Sequence, residues 1–329
     1  MTHEKPFPIT SVLTDYWGAA QAQEGKLRVA TWNLHNLYHE DGQAIPRRGL
    51  KRTADDYAQL RKYADQLDAD IIALQEVNSK EAIHRVFPED DYVAFISGRK
   101  IQDDLAMKAD SSSRTDGIYT GFAARKDISV VYFGDVPSLS VEYLNPRSNK
   151  MRPTRWGVEI EIDQSGHRLR LLSLHLKSGC TAFALDDDGD PNTSFQHPTD
   201  ADCTTLGKQI APLDAWIDEH EEIGTPFIVL GDFNRAFDVN VRSDGLWKVI
   251  DDRQPEGSRL WRYPFQRPGA CWRGTPHYHL NPIDFIVLDG KANEWVNRSS
   301  FNWIVYDKSL SDHHDQISDH CPVYVDLKF

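Results

Sequence analysis

Five apolar runs in this chain carry a polar residue at one tip: 28–33 end on Asn33, 71–76 on Glu76, 171–175 on His175, 227–234 on Asp232 and Asn234, and 283–288 open on Ile283-Asp284. A sixth segment, Ser318-Asp319-His320-Cys321-Pro322, leads into the alternating Val323-Tyr324-Val325. Runs of this kind predict strands. Packing alone has no use for a carboxylate or an imidazole at a strand tip, so the repetition predicts that Asn33, Glu76, His175, Asp232, Asn234, Asp284, Asp319 and His320 meet in one pocket.

Helical spacing occurs twice. Tyr57, Leu60, Tyr63, Ala64 and Leu67 belong to a helix predicted over 50–67, and Leu206, Ile210, Leu213, Trp216 and Ile217 to another over about 204–222, stopped by Gly224. Between them, residues 118–124, 128–133, 155–162 and 169–176 read as strands joined by tight turns, which implies antiparallel pairing. Residues 97–117 and 178–200 read as long polar loops bordering the pocket. Residues 1–25 have no period and read as an N-terminal arm, whereas 26–329 show neither a composition break nor an internal repeat and read as a single domain.

Composition narrows the setting. The 329 residues are 40% hydrophobic, enough for a sizeable core, and no apolar run approaches the ~20 residues that cross a bilayer. The start of the chain lacks the basic and apolar stretches of a secretory signal, which implies a cytoplasmic protein or a signal already removed. A net charge of -13 opposes non-specific attraction to polyanions, so any nucleic-acid contact has to be local to the pocket. Cys180 and Cys203 bracket an acidic loop and are expected to form a disulfide, with buried thiols as the alternative, whereas Cys271 and Cys321 lie in separate segments. A Cys180–Cys203 bridge would favour a secreted or periplasmic location; its absence would favour the cytoplasm.

The polar tips suggest chemistry. Glu76 closes an apolar strand, and hard oxygen ligands without a His/Cys cluster suit Mg²⁺ or Mn²⁺ better than zinc; an arginine-paired structural glutamate is the alternative. Asp232 and Asn234 are two apart, so on an extended chain both side chains point the same way, a carboxylate for water and an amide for a phosphoryl oxygen. Asp284 and His320 suit an imidazole held in one orientation by a carboxylate, with Asp319 beside them. His313 and His314 read as loop residues, and the acidic run 186–190 as a solvated loop rather than a calcium site.

The ordered set Trp32-Asn33, Gln75-Glu76, Leu174-His175-Leu176, Gly231-Asp232-Phe233-Asn234, Ile283-Asp284 and Ser318-Asp319-His320-Cys321-Pro322 resembles the endonuclease/exonuclease/phosphatase superfamily, of DNase I-like fold, from about Lys26 to Phe329. The resemblance implies an α+β fold, a four-layer α/β/β/α sandwich of two mainly antiparallel sheets flanked by helices. It implies metal binding by Glu76 with Asn33 and Asp319, catalytic roles for His175, Asp232, Asn234, Asp284 and His320, and phosphate contact by Asn234 and by Arg152, with Arg155 the competing arginine. His35 stands where many relatives that cleave at abasic sites have an aspartate.

The expected activity is that of a phosphoester hydrolase dependent on Mg²⁺, with Mn²⁺ or Ca²⁺ as alternatives, acting as a monomer on nucleic acid without an obligate protein partner. A small-molecule or lipid phosphodiesterase or phosphatase is the alternative, and a non-catalytic binding relative a third. Arginines interleaved with aromatics over 259–273 suit phosphate contact and base stacking, with an amphipathic loop covering the sheet as the equal alternative, and Arg47, Arg48, Lys51 and Arg52 offer either a further basic rim or a solvated face at a helix start. No exposed apolar hairpin is expected, which disfavours a bilayer-docking lipase.

Overall fold

The computed structural model describes residues 25–46, 48–109, 117–145, 149–181, 201–237, 244–264, 271–272 and 282–329. The expected arm over 1–25, apart from Gly25, and most of the loop over 178–200 therefore lie outside the described residues, as does the acidic run 186–190.

The chain begins with β1 (Lys26–Leu37), α1 (Ala54–Leu67) and β2 (Ile71–Val77). Thr53 starts α1 through a capping box in which its side chain accepts from Asp56 N and Asp56 in turn accepts from Thr53 N, and Asp68 stops it in a left-handed conformation. Next come α2 (Lys80–Val86), β3 (Tyr92–Ile96), α3 (Arg99–Ala109), β4 (Tyr119–Arg125), β5 (Ser129–Val136), β6 (Glu142–Asn145), β7 (Lys150–Pro153), β8 (Gly157–Gln164) and β9 (His167–His175). The described remainder holds α4 (Ala201–Ile223), β10 (Phe227–Asp232), α5 (Gly245–Ile250), β11 (Trp261–Tyr263), β12 (Asp284–Leu288), α6 (Gly290–Trp295), β13 (Val296–Trp303), α7 (His314–Ile317) and β14 (Val323–Lys328).

Two six-stranded sheets result, ordered β13-β14-β1-β2-β4-β3 and β11-β12-β10-β9-β8-β5, beside a β6-β7 hairpin. Each large sheet has one parallel pair, β1 with β2 and β9 with β10, and is otherwise antiparallel. Parallel neighbours need a crossover, and α1 and α4 supply it.

Side-chain alternation sorts the core into layers. Leu27, Val29, Ile71 and Ala73 of the first sheet meet Leu169, Leu171, Ile228, Leu230, Ile286 and Leu288 of the second between the sheets. The opposite parity, Ala30, Trp32, Ile72 and Leu74, packs under α1 and α2, and Leu172, Leu174, Phe227 and Val229 pack under α4 and α5. Each fully buried Leu or Ile contributes about 1.5–3 kcal/mol, so this three-tier packing is what fixes the ends of the strands in space. The expected four-layer sandwich is the one observed.

Three local expectations change. Residues 97–117 are not all loop, because α3 forms there; it buries only Asp103 and relies on the i,i+4 pairs Arg99–Asp103 (2.8 Å) and Lys100–Asp104 (2.9 Å), so it has no apolar stripe to betray it. His313 ends a 3-10 turn and His314 begins α7, rather than lying in irregular loop. Cys180–Cys203 is bridged as expected, and Cys271–Cys321 forms a second disulfide across 50 residues.

Candidate active site

The parity that buries Val29, Leu171, Ile228 and Ile286 between the sheets carries on to Asn33, His175, Asp232 and Asp284. Beneath them lies a polar tier: Thr31 Oγ1 donates to Gln75 Oε1 (3.2 Å), and Gln75 Nε2 donates across the gap to Ser173 Oγ (3.4 Å). The interlayer thus passes from apolar to hydroxyl and amide to charged toward one end.

Asp232 is at the centre of that end. Its Oδ1 accepts from Asn234 N (2.8 Å), its Oδ2 accepts from Asn33 Nδ2 (3.1 Å), and Oδ2 also lies 3.4 Å from His175 Nε2 and 3.8 Å from His320 Nε2. Asn234 bends into a left-handed turn (φ 50°) and donates from Nδ2 to Leu176 O (3.1 Å). His320 Nδ1 is 2.7 Å from Asp284 Oδ2, which sets the ring's orientation.

Glu76 reaches the cluster differently. Alternation alone would send it under α1 with Ile72 and Leu74, but the β1-β2 register shifts here and Glu76 takes a left-handed backbone (φ 58°). Its Oε2 accepts from Asn36 N (3.0 Å), and its Oε1 lies 4.0 Å from His175 Nε2. His35 and Asn36 are left-handed too, and Arg52 holds that bend by donating to the carbonyls of Leu34 (2.9 Å), His35 (2.8 Å) and Asn36 (3.2 Å).

The electrostatics follow from burial. Burial pushes the Asp232 carboxyl up to about 7, against the pull of His320 and the hydrogen bonds from Asn234 and Asn33. Burial disfavours a charged His320, but Asp284, Asp319 and Asp232 outweigh it and hold its pKa well above the ordinary value. Burial, reinforced by Arg155, His320, Arg48 and Lys177, drives His175 well below its ordinary value, leaving a neutral ring whose Nδ1 is buried without a hydrogen-bond partner among the described residues.

These groups open onto a cavity of about 720 Å³ whose lining also holds Arg48, Arg152, Arg155, Tyr143, Asn145 and Lys177, the last paired with Asp202 at 2.6 Å. A family model described as "Endonuclease/Exonuclease/phosphatase family" matches residues 30–320. The chain belongs to that family. Among solved structures, an endonuclease/exonuclease/phosphatase from Bacteroides vulgatus is 16% identical with a TM-score of 0.55, over 93% of this chain and 100% of that one. D. rerio TDP2 complexed with a single-strand DNA product is 18% identical with a TM-score of 0.52, over 92% and 99%. The human Nocturnin catalytic domain with a bound sulfate anion is 14% identical with a TM-score of 0.50, over 93% and 95%. At such identities the likeness is one of fold, and no curated protein matches the chain.

All eight polar tips named from the sequence converge in this family member. Asn33 is buried beneath the cavity and touches Asp232, Asp284 backs His320, and the other six line the wall. Arg152 and Arg155 both line it, and Arg155 is anchored by a bond to Leu176 O (2.6 Å). Lys177, Tyr143 and Asn145 were not singled out. Lys177 shares strand parity with His175, a signal that was available, whereas Tyr143 and Asn145 come from the short β6-β7 hairpin.

Other expectations fail. Arg48 lines the cavity, but Arg52 is buried as a brace for the 34–36 bend and is no part of a rim; Arg47 lies outside the described residues. In the described part of 259–273, Tyr263 and Trp272 are fully buried and Arg262 nearly so, which makes these three core, whereas the exposed Arg259 lies over the half-buried Trp261 ring, 5.2 Å from its centroid. An exposed apolar hairpin does exist: Leu144 and Met151 face each other across β6 and β7, 50% and 56% exposed.

Members of this family typically depend on a divalent metal. Ligand atoms of Asp232, Asp284 and His320 all lie within 4.8 Å of one another; both Asp232 oxygens are held by Asn234 and Asn33 and Asp284 Oδ2 by His320, which leaves the buried Asp284 Oδ1 without a hydrogen-bond partner among the described residues. Glu76 and Asp319 offer hard carboxylate oxygens at the cavity wall, a donor set that fits Mg²⁺, Mn²⁺ or Ca²⁺ and not a soft metal.

Proposed function

We propose that the protein is a divalent-metal-dependent phosphodiesterase whose first substrate class is nucleic acid. One observation carries the reading: a carboxylate, an amide and two imidazoles, one of them held by a second carboxylate, line a single cavity together with four basic side chains. That is the equipment for splitting a charged ester, where phosphoryl oxygens must be neutralised while water is aligned in line with the leaving group.

In this reading Glu76 and Asp319, with Asn33 close by, hold the metal, which when bound supplies Lewis-acid stabilisation of the phosphoryl oxygens. Asp232, oriented by Asn234 N–H and Asn33, takes the proton of the attacking water. Asn234 and the guanidiniums of Arg152 and Arg155 bind non-bridging oxygens. His320, kept in place by Asp284, gives a proton toward the developing charge, and the neutral ring of His175 donates a hydrogen bond to a phosphoryl oxygen. Two disulfides accord with an oxidising, secreted or periplasmic setting, and no helix among the described residues is long and apolar enough to cross a membrane. We take the working form to be a monomer.

A lipid or other small phosphodiester is the second reading, favoured by the exposed Leu144–Met151 pair on the hairpin that also lends Tyr143 and Arg152 to the cavity. The deciding experiment is a panel of single- and double-stranded DNA, RNA, cyclic and aryl phosphodiesters, phosphomonoesters and sphingomyelin, each with Mg²⁺, Mn²⁺ and Ca²⁺. Turnover of DNA or RNA above the small esters supports the first reading. No turnover of any ester with any ion sinks both.

A further inference from the structure

His320 is followed directly by Cys321, which is buried and bridged to the half-buried Cys271. The bridge is the covalent part of a larger clamp. Cys271 O accepts from Tyr306 N (3.0 Å), the Tyr306 hydroxyl donates to His320 O, and Trp32 Nε1 donates back to that hydroxyl (2.9 Å). Trp272 Nε1 donates to Ser318 O (2.9 Å), and its ring packs on Tyr306 with centroids 4.8 Å apart. Ser318 Oγ then accepts from His320 N (3.0 Å) and donates to Asn33 O (2.7 Å).

None of Cys271, Trp272, Tyr306 and Cys321 lines the cavity, so none is placed to touch substrate. What they hold is the backbone on both sides of the imidazole: Ser318 O before it, His320 O and the Cys321 sulfur at and after it. The Asp284 hydrogen bond fixes the ring only if that backbone is already in place. A segment some 50 residues away in sequence has no local reason to stay docked there, and the disulfide is what ties it down.

We propose that the Cys271–Cys321 disulfide, acting with Tyr306 and Trp272, positions His320, so that turnover depends on this bridge being intact. The inference rests on the phosphoesterase reading above and adds a redox requirement to it. Inactivation is a dithiol–disulfide exchange: a dithiol reductant passes two electrons and two protons to the bridge, the S–S bond gives way to two S–H groups, and the dithiol closes into its own disulfide. The half-buried Cys271 side is the accessible point of attack.

The test uses the whole protein with Cys180→Ala and Cys203→Ala, so that only one bridge remains. Its kcat and KM on an aryl phosphodiester are measured oxidised, after dithiothreitol, and after re-oxidation by oxidised glutathione, with near-UV circular dichroism verifying the fold at the assay temperature. Reduction should lower kcat by ~10- to 100-fold, the scale of a displaced catalytic group, with KM changed less than about threefold and activity returning on re-oxidation. Tyr306→Phe, with the bridge intact, should lower kcat in the same direction. The proposal is overturned if the reduced, folded protein keeps kcat within about twofold of the oxidised form, or if only KM rises. An oxidised protein that turns over no ester with any metal instead defeats the phosphoesterase reading itself, an outcome distinct from an active but reductant-insensitive enzyme.

Discussion

The two large sheets have the same plan and reach the site by different means. Strand for strand, β13-β14-β1-β2-β4-β3 corresponds to β5-β8-β9-β10-β12-β11, each with a central parallel pair joined through a helix. In the second sheet the β9-β10 register is unbroken from Arg170 and Phe227 to His175 and Asp232, so plain alternation delivers both side chains. In the first sheet the β1-β2 register slips after Asn33, and Glu76 arrives only through left-handed backbone at His35, Asn36 and Glu76 itself. Regular strands place His175 and Asp232 in rigid, buried positions, whereas the candidate metal carboxylate is carried on a strained bend that needs a brace.

The largest effect should come from the Asp232–His320 pair, where the end of the regular β10 meets the turn before β14. His320→Ala and Asp232→Asn are each expected to cut turnover by about 10³-fold or more while leaving thermal unfolding within a few degrees of wild type, because Asp232 ends β10 and His320 lies in the turn before β14, both outside the apolar core. Loss of folding in either variant would assign it a structural role. In the irregular half, Glu76→Gln should shift the Mg²⁺ activation curve to roughly 10- to 100-fold higher concentration, and an unchanged curve would move the ligand elsewhere.

Arg52 tests the brace directly. It is almost completely buried, and burial lowers its pKa to about 10 while five backbone carbonyls, those of Leu34, His35, Asn36, Gln316 and Ile317, accept from it. Arg52→Met should cost about 2–4 kcal/mol in denaturant unfolding and weaken metal activation, since the orphaned carbonyls no longer hold the bend. A variant as stable as wild type would mean that the bend supports itself.

The smallest effect separates the two crossover helices. On α4, burial and neighbouring carboxylates raise Asp214 to about 7, and burial likewise raises Glu221 to about 7. A raised carboxyl pKa means that stability is fully present below the ordinary value near 4 and is lost as pH climbs through 7. Asp214→Asn should therefore stabilise the protein at pH 8 by on the order of 1 kcal/mol, after discounting for solvent screening, with the gain fading toward pH 5. Thermal melts across that range would reveal a constant offset if burial were not the cause.

The parts that could be read in the sequence are those governed by local periodicity. Both crossover helices follow from helical spacing, and the convergence of Asn33, Glu76, His175, Asp232, Asn234, Asp284, Asp319 and His320 from apolar runs with polar tips, whereas the sandwich was what the family resemblance implied. Helix α3 escaped because i,i+4 charge pairs rather than an apolar face stabilise it, and Tyr143 and Asn145 because a four-residue strand is too short to set a period.

By itself the sequence determined the strands β1, β2, β4, β5, β8, β9, β10, β12 and β14 and the polar groups at or beside their ends, since a two-residue repeat or a buried apolar run is a local property of the chain. Only the tertiary structure decided that Glu76 turns out of its own strand's parity, that Arg52 is a brace rather than a rim, that Trp272 is core, and that Cys321 bonds Cys271. Each of these depends on contacts between segments far apart in the chain, and no local pattern encodes which distant partner will be there.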